Sequence, residues 1–61
     1  MTTGELLRLL EANGWYVMRQ RGSHAIYRHR ERAGQLTVPT HRGKEVPTGT
    51  LNAILKAAGL K

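Results

Sequence analysis

The chain has 61 residues, a net charge of +6 and no cysteine. This length predicts one domain over residues 1–61, with a single small core and no deep cleft. The lack of cysteine excludes disulfides and thiolate metal sites, so packing, with or without a partner chain, must hold the fold. No apolar run approaches the roughly 20 residues that span a bilayer, and the first residues do not resemble a signal peptide. We therefore expect a cytoplasmic protein with no membrane partner.

Positive charge is concentrated in the middle of the chain. Seven of the ten basic residues lie between Arg19 and Lys44, and Glu31 is the only acidic residue there. This window thus carries the whole net charge and predicts a polyanionic partner, which in the cytoplasm is usually nucleic acid. An acidic protein partner is the alternative, and the two are compatible. Attachment to a membrane surface is disfavoured because the charge does not lie on an amphipathic helix.

The first predicted element is a helix. Thr2 and Glu5 have the spacing of a capping box, and leucines follow at helical intervals. Asn13-Gly14 predicts the end of this helix, with the glycine in a left-handed conformation and Trp15 packed back against the helix.

Three strands are predicted next, at residues 15–20, 24–30 and 35–39. Their short connections predict an antiparallel meander. In the first strand, Trp15 and Val17 are expected to face the core, with the alternate side chains outward.

Alternation also decides which side chains of the second strand are buried. We expect Ile26 to face inward, because burying Tyr27 instead would leave more apolar area in water. Ala25, Tyr27 and His29 would then face outward. His24 would share the inward face and be accessible either at the rim of the sheet, clear of the helices, or through a bulge at Gly22, and we favour the rim.

The last predicted helix runs from about Thr48 to Ala58, after a polar loop at residues 40–47. Its apolar residues recur at i, i+3, i+4 and i+7, and Gly59 ends it. The order α-β-β-β-α indicates an α+β fold with a three-stranded antiparallel sheet and two helices on one face. The other face is left open to solvent or to a ligand.

The segment Gly22-Ser23-His24 predicts a turn that delivers a histidine to the start of the second strand. Imidazole titrates near neutral pH, so His24 is a candidate for proton transfer beside a phosphodiester, with nearby arginines holding the anionic backbone. A solvated histidine near a hairpin turn is the alternative. Ser23 is expected to cap the turn, since no base is placed to activate it as a nucleophile.

No metal site and no cofactor are predicted. His29 is an odd number of residues from His24, so the two rings point to opposite faces of a regular strand and cannot hold one ion. No carboxylate lies at ligand spacing nearby.

Longer stretches of the chain resemble the HicA toxin family. The matching residues are Gly14-Trp15, Arg19-Gln20-Arg21-Gly22-Ser23-His24, Leu36-Thr37-Val38-Pro39, His41, Gly43-Lys44-Glu45, Gly49-Thr50-Leu51, Ile54-Leu55 and Ala58-Gly59-Leu60. This resemblance spans nearly the whole chain and implies a double-stranded-RNA-binding-domain-like fold, in agreement with the element order. It also implies a ribonuclease toxin that cleaves messenger RNA and arrests translation, and that a HicB-type antitoxin neutralises by covering the active surface. The family's essential histidine falls on His24.

Two places depart from the family pattern and bear on substrate preference. Residues 30–34 form a more charged loop than is common in the family, and Thr40 stands where many members carry a bulkier residue.

RNA carries its own nucleophile, the 2′-hydroxyl, so a general base and stabilising cations can cleave it without a metal. His24 is the predicted base or acid, with the charge supplied by Arg21, Arg28 or Lys44. An outward Tyr27 could stack on a base, as could Tyr16, and a half-buried structural position in the strand is the alternative for each. The residues predicted to bind RNA are Arg21, Gly22, Ser23, Tyr27, Arg28, His41, Arg42 and Lys44.

Two other functions stay open at this point. The chain could be an RNA-binding module in which His24 is incidental, or a basic module that only docks an acidic protein. The oligomeric state of the free chain is also open.

Overall fold

Five elements make up the computed structural model, which describes residues 1–41 and 43–61. They are α1 (Thr3–Ala12), β1 (Trp15–Arg21), β2 (His24–His29), β3 (Gln35–Pro39) and α2 (Thr48–Ala57). The strands form one antiparallel sheet in the order β1-β2-β3. The predicted α-β-β-β-α fold is therefore confirmed. Neither helix is long and apolar enough to cross a membrane.

Helix α1 begins and ends as its sequence predicts. The Thr2 hydroxyl accepts a hydrogen bond from the Glu5 N–H (3.2 Å), and the Glu5 carboxylate accepts one from the Thr2 N–H (2.8 Å). Hydrogen bonds that the carboxylate receives from the backbone N–H of Thr2 and from the Thr2 side chain hold the pKa of Glu5 below its ordinary value of 4.5. At the other end Gly14 has φ +92° and its N–H donates to the Glu11 carbonyl (3.2 Å), which turns the chain into β1.

Helix α2 starts differently from α1. Its N-cap is Pro47, and no side chain caps the first turn. At its C-terminus the Gly59 N–H donates to the Lys56 carbonyl (3.1 Å) and the Leu60 N–H to the Leu55 carbonyl (2.9 Å). This pair of bonds is the predicted Schellman ending.

The core lies between the two helices and one face of the sheet. Leu6 and Leu10 of α1 are fully buried at its centre. Burying a leucine side chain stabilises the fold by about 1.5–3 kcal/mol, so these leucines hold α1 firmly in the core. The core residues are Leu6, Leu7, Leu10, Trp15, Ala25, Tyr27, Leu36, Val38, Val46, Ile54 and Ala58.

The predicted facing of β2 is wrong. Ala25 and Tyr27 are buried (1% and 3% exposed), whereas Ile26 is half-buried on the opposite face. The register explains the reversal: Tyr27 pairs with Leu36 and Ala25 with Val38, and directly paired residues share a face of the sheet. Because the two β3 side chains pack on the helices, their β2 partners do too.

The predicted burial of Val17 is also wrong, since its side chain is 51% exposed. Strand β1 is an edge strand with a register shift between Val17 and Arg19, where Met18 has no cross-strand partner. A bulge of this kind shifts the alternation of side chains by one residue. Gln20, predicted to face outward, therefore pairs with Ala25 on the helix side, while Arg19 turns to the other face. A cavity of about 330 Å³ lies on the helix side of this strand, lined by Leu7, Glu11, Val17, Gln20, Ala25, Tyr27 and Thr40.

Candidate nucleic-acid interface

The side of the sheet away from the helices presents three rows of paired residues, which we call the open face. The rows are Arg21–His24–Pro39, Arg19–Ile26–Thr37 and Tyr16–Arg28–Gln35. None of the three strands contains an acidic residue. The charged side chains of the open face, Arg19, Arg21 and Arg28, are therefore all positive and attract a polyanion.

His24 is exposed at the start of β2 and belongs to this open face. Its direct cross-strand partners are Arg21 on one side and Pro39 on the other. Within residues 1–41 and 43–61, its imidazole takes part in no hydrogen bond. The expectation that His24 shares the helix-facing side with Ile26 is thus corrected: both residues lie on the open face, and both ring nitrogens of the histidine can reach a ligand.

The turn before His24 requires glycine at its first position. Gly22 has φ +56°, while Ser23 has no positive φ, the pattern of a type II′ hairpin turn. Arg21 and His24 close this turn as a cross-strand pair. A two-residue hairpin fixes the register of its flanking strands, so the turn determines that the guanidinium of Arg21 accompanies the imidazole.

A second set of contacts braces this turn against the end of β3. The Gln20 side-chain amide donates to the Gly22 carbonyl (2.9 Å) and to the Thr40 hydroxyl (3.1 Å). The Thr40 N–H in turn donates to the Ser23 carbonyl (2.8 Å). Sequence reasoning missed this brace, because only the bulge in β1 brings Gln20 to the side where it can reach Thr40.

The cations predicted to assist His24 lie at different distances from it. Arg21 is its direct partner. Arg28 is four residues further along β2, roughly 13 Å away on a strand that rises about 3.3 Å per residue. Lys44 is exposed, and its carbonyl is held at the start of α1 by the N–H of Thr3 (2.9 Å), off the sheet. Arg21 is therefore the cation best placed for chemistry at the histidine.

The loop after β3 holds two more of the predicted RNA-binding residues. His41 and Lys44 are exposed and border a cavity of about 380 Å³, which Thr3, Pro39, Glu45, Val46 and Pro47 also line. His41 follows Pro39, the partner of His24, by two residues. Arg42, also predicted to bind RNA, lies outside the described residues.

Tyr27 does not face outward as expected. Its ring is buried (3% exposed) on the helix side, and its hydroxyl donates to the Glu11 carboxylate (3.4 Å). A base could stack on this ring only if α1 moved away. Burial therefore removes Tyr27 from the predicted RNA-binding surface.

His29, at the other end of β2, is occupied by structural contacts. Its Nε2 donates to the Asn13 carbonyl (2.9 Å), its Nδ1 accepts from the Glu31 N–H (3.0 Å), and its ring meets Trp15 edge-on at 5.1 Å. Across the described part of the chain, no cluster of three His, Asp or Glu side chains could hold a metal ion.

Comparison with known proteins identifies the family. A search of curated proteins found no match. A family model described as "HicA toxin of bacterial toxin-antitoxin" matches residues 4–60, a span that contains the braced turn, the open face and α2. Such a match covers far more than half of the chain. The chain therefore belongs to the HicA toxin family, the toxins of bacterial toxin–antitoxin systems.

Proposed function

We propose that this toxin is a cytoplasmic endoribonuclease, acting as a single domain over residues 1–61, that cleaves messenger RNA on the open face and so arrests translation. One observation carries the proposal: in a chain of the HicA toxin family, an exposed histidine stands beside an arginine on a sheet face without acidic residues. The neighbouring strands hold the pair, and the Gln20–Thr40 brace holds the turn.

In the proposed reaction, His24 accepts the proton of a ribose 2′-hydroxyl as the oxygen attacks the adjacent phosphorus. The bond from phosphorus to the 5′-oxygen then breaks, and that oxygen takes up a proton. The products are one RNA end with a 2′,3′-cyclic phosphate and one with a 5′-hydroxyl. The open face carries no second histidine and no carboxylate, so the other proton transfer is assigned to water or to the exposed His41.

Arg21 supplies the charge that this reaction needs. A guanidinium donates paired hydrogen bonds to phosphate oxygens and stays protonated throughout, so it stabilises the extra negative charge of the phosphorane. Gly22 and Ser23 place the scissile phosphate by the shape of the turn, while Arg28 and Lys44 contact phosphates further along the RNA. No metal or other cofactor takes part in the proposed mechanism.

We propose a HicB-type antitoxin as the protein partner. Its surface would cover the open face and place carboxylates against the arginines there, which excludes RNA by charge and by shape. The basic residues between Arg19 and Lys44 would then bind either RNA or the antitoxin. Nucleic acid and an acidic protein are the two compatible partners that the sequence left open.

The test compares induction of the wild-type chain with His24→Ala in growing cells, with messenger RNA integrity measured in parallel. We expect growth arrest and RNA loss with the wild type alone. In vitro, the cut RNA should end in a 2′,3′-cyclic phosphate, and RNA with a 2′-deoxyribose at the cut site should stay intact. Cleavage that survives His24→Ala, or that tolerates the 2′-deoxyribose, contradicts the mechanism.

A non-catalytic RNA-binding module is the second candidate, and the uniform charge of the open face favours it independently of His24. This reading predicts that His24→Ala arrests growth as fully as the wild type while RNA stays intact. Affinity for RNA should fall log-linearly with salt as counterions are released. An antitoxin interface with an apolar centre should be less sensitive to salt.

A further inference from the structure

Tyr16 is the aromatic side chain that the structure leaves on the open face. It is 45% exposed and pairs directly with Arg28. Within the described residues its hydroxyl makes no hydrogen bond and its ring stacks on no other ring. None of the contacts among the described residues accounts for a tyrosine at this position, since the core is formed on the opposite side of the sheet.

The bulge in β1 places Tyr16 on the same face of the sheet as Arg21 and His24. Tyr16 lies before the bulge and Arg21 after it, five residues apart, so regular alternation would put them on opposite faces. The shift at Met18 restores both to the open face. Tyr16 then lies roughly 14 Å from His24, four residues along β2 and one strand across.

We propose that Tyr16 is a base-stacking residue that makes the open face selective for single-stranded RNA. This inference rests on the proposed ribonuclease function and names its substrate class. In this arrangement an RNA base lies flat on the exposed phenol ring of Tyr16, and the phosphate of the same nucleotide contacts Arg28. The RNA then continues past Arg19 and reaches His24 a few nucleotides away. In a duplex the base faces are covered by their neighbours, so a duplex cannot make this contact. The selectivity would hold although the fold resembles that of domains that bind double-stranded RNA.

The test measures binding in the His24→Ala background, where the RNA stays intact, with a short single-stranded RNA and with the same RNA annealed to its complement. Stacking of one base on an aromatic ring predicts that Tyr16→Ala weakens single-strand binding about 5- to 150-fold. Tyr16→Phe keeps the ring and should stay within about twofold of its parent. Val17→Ala is the matched control, since Val17 is 51% exposed on the same strand but faces the helix side. Duplex binding should be weak and unchanged by all three substitutions.

Each other outcome overturns the inference. If Tyr16→Ala binds the single strand as tightly as its parent, the ring has no role in RNA binding and faces a protein partner or solvent instead. If Tyr16→Phe fails like Tyr16→Ala, the hydroxyl and not the ring is the contact. If both RNA forms lose affinity equally, the surface does not select single strands. Cleavage by the His24-intact chain is measured separately, so a chain that binds as predicted but never cuts RNA refutes the ribonuclease proposal alone.

Discussion

Strand β2 begins and ends with histidine, and the two rings have opposite surroundings. His24 is exposed beside Arg21, with no hydrogen bond from its ring among the described residues. His29 is half-buried, with Nε2 and Nδ1 both hydrogen-bonded and its ring against Trp15. Because the Asn13 carbonyl can only accept and the Glu31 N–H can only donate, these contacts also select the neutral Nε2–H tautomer of His29.

Under the proposed mechanism, one end of β2 carries the chemistry and the other end contributes to stability. A ring nitrogen that is already hydrogen-bonded to the backbone cannot accept a substrate proton, so His29 has no free group for catalysis. Its contacts instead hold the end of β2 against the end of α1 and the start of β1. The ring of His24, whose nitrogens form no hydrogen bond to the described residues, follows the turn that the Gln20–Thr40 brace holds. The two histidines should therefore respond in opposite ways to the same substitution.

The largest expected effect is on cleavage by the His24 end. His24→Gln should lower kcat/KM on an RNA oligonucleotide about 10²- to 10⁴-fold, the usual contribution of a general acid–base group. His29→Gln should cleave at nearly the wild-type rate at a temperature where it is folded. Gel-based cleavage assays on the two purified variants measure both numbers. Equal losses of activity in the two variants would contradict the assignment of catalysis to His24 and of a structural role to His29.

Next in size is the effect of removing the cation beside His24. Arg21→Gln should lower cleavage about 10²-fold, because in the proposed mechanism the guanidinium beside His24 stabilises the charge that develops in the transition state. It should also reduce the salt dependence of RNA binding by about one counterion. Arg8→Gln, a change of the same charge at an exposed position of α1, is the control and should alter cleavage less than about twofold. A larger loss in the control would mean that charge anywhere on the chain suffices.

A substitution at Gly14 should disturb the contacts of His29, because the backbone of this glycine lies against the imidazole ring. Gly14 has φ +92°, and a Cβ at this position would lie 2.6 Å from the His29 Nε2. Gly14→Ala should therefore lower the free energy of unfolding by about 1–3 kcal/mol, and His29→Ala by about 1–3 kcal/mol for its lost hydrogen bonds. Urea unfolding followed by circular dichroism gives both values.

The double variant is the sharper measurement. Deleting the imidazole also removes the collision, so Gly14→Ala with His29→Ala should lose less stability than the two single losses combined. Strictly additive losses would show that the alanine at position 14 is strained by its backbone alone.

The smallest effect is expected at Glu5, away from both ends of β2. Its pKa is lowered by hydrogen bonds from Thr2, so the ionised carboxylate stabilises the fold. That stabilisation is complete above the ordinary value of 4.5 and is lost as the pH falls through the lowered pKa. Glu5→Gln should thus lower the Tm slightly at pH 7, with no change in cleavage. The difference from wild type should close in acid, as thermal unfolding across pH would show, and a difference that widens in acid would contradict it.

Much of the fold was predictable because its signals are local. The capping box at Thr2 and the glycines after each helix determine helix ends within a few residues of chain, and all three appear in the structure. His24 was also predictable as a candidate, since the turn that presents it is encoded in Gly22 and Ser23.

The faces of the sheet were not predictable in the same way. Alternation gives two possible assignments for β2, and ranking Ile26 above Tyr27 by apolar area selected the wrong one. Tyr27 has a large ring and a hydroxyl that reaches Glu11, so it suits a buried position with a polar edge. The choice is made by the pairing with β3, whose register depends on the loop at residues 30–34. The bulge at Met18 has no glycine or other sequence marker, so the Gln20–Thr40 brace that depends on it was hidden as well.

The packing of Trp15 has a practical consequence. Trp15 is the only tryptophan of the chain, it is buried at 3% exposure, and its ring contacts His29 on the side of the sheet away from the open face. Its fluorescence should change when α1 separates from the sheet and should stay constant when RNA occupies the open face. Every cleavage measurement on this protein can thus carry an intrinsic optical control in the same cuvette. A variant that stops cutting RNA while its emission spectrum is unchanged has lost chemistry and kept its structure.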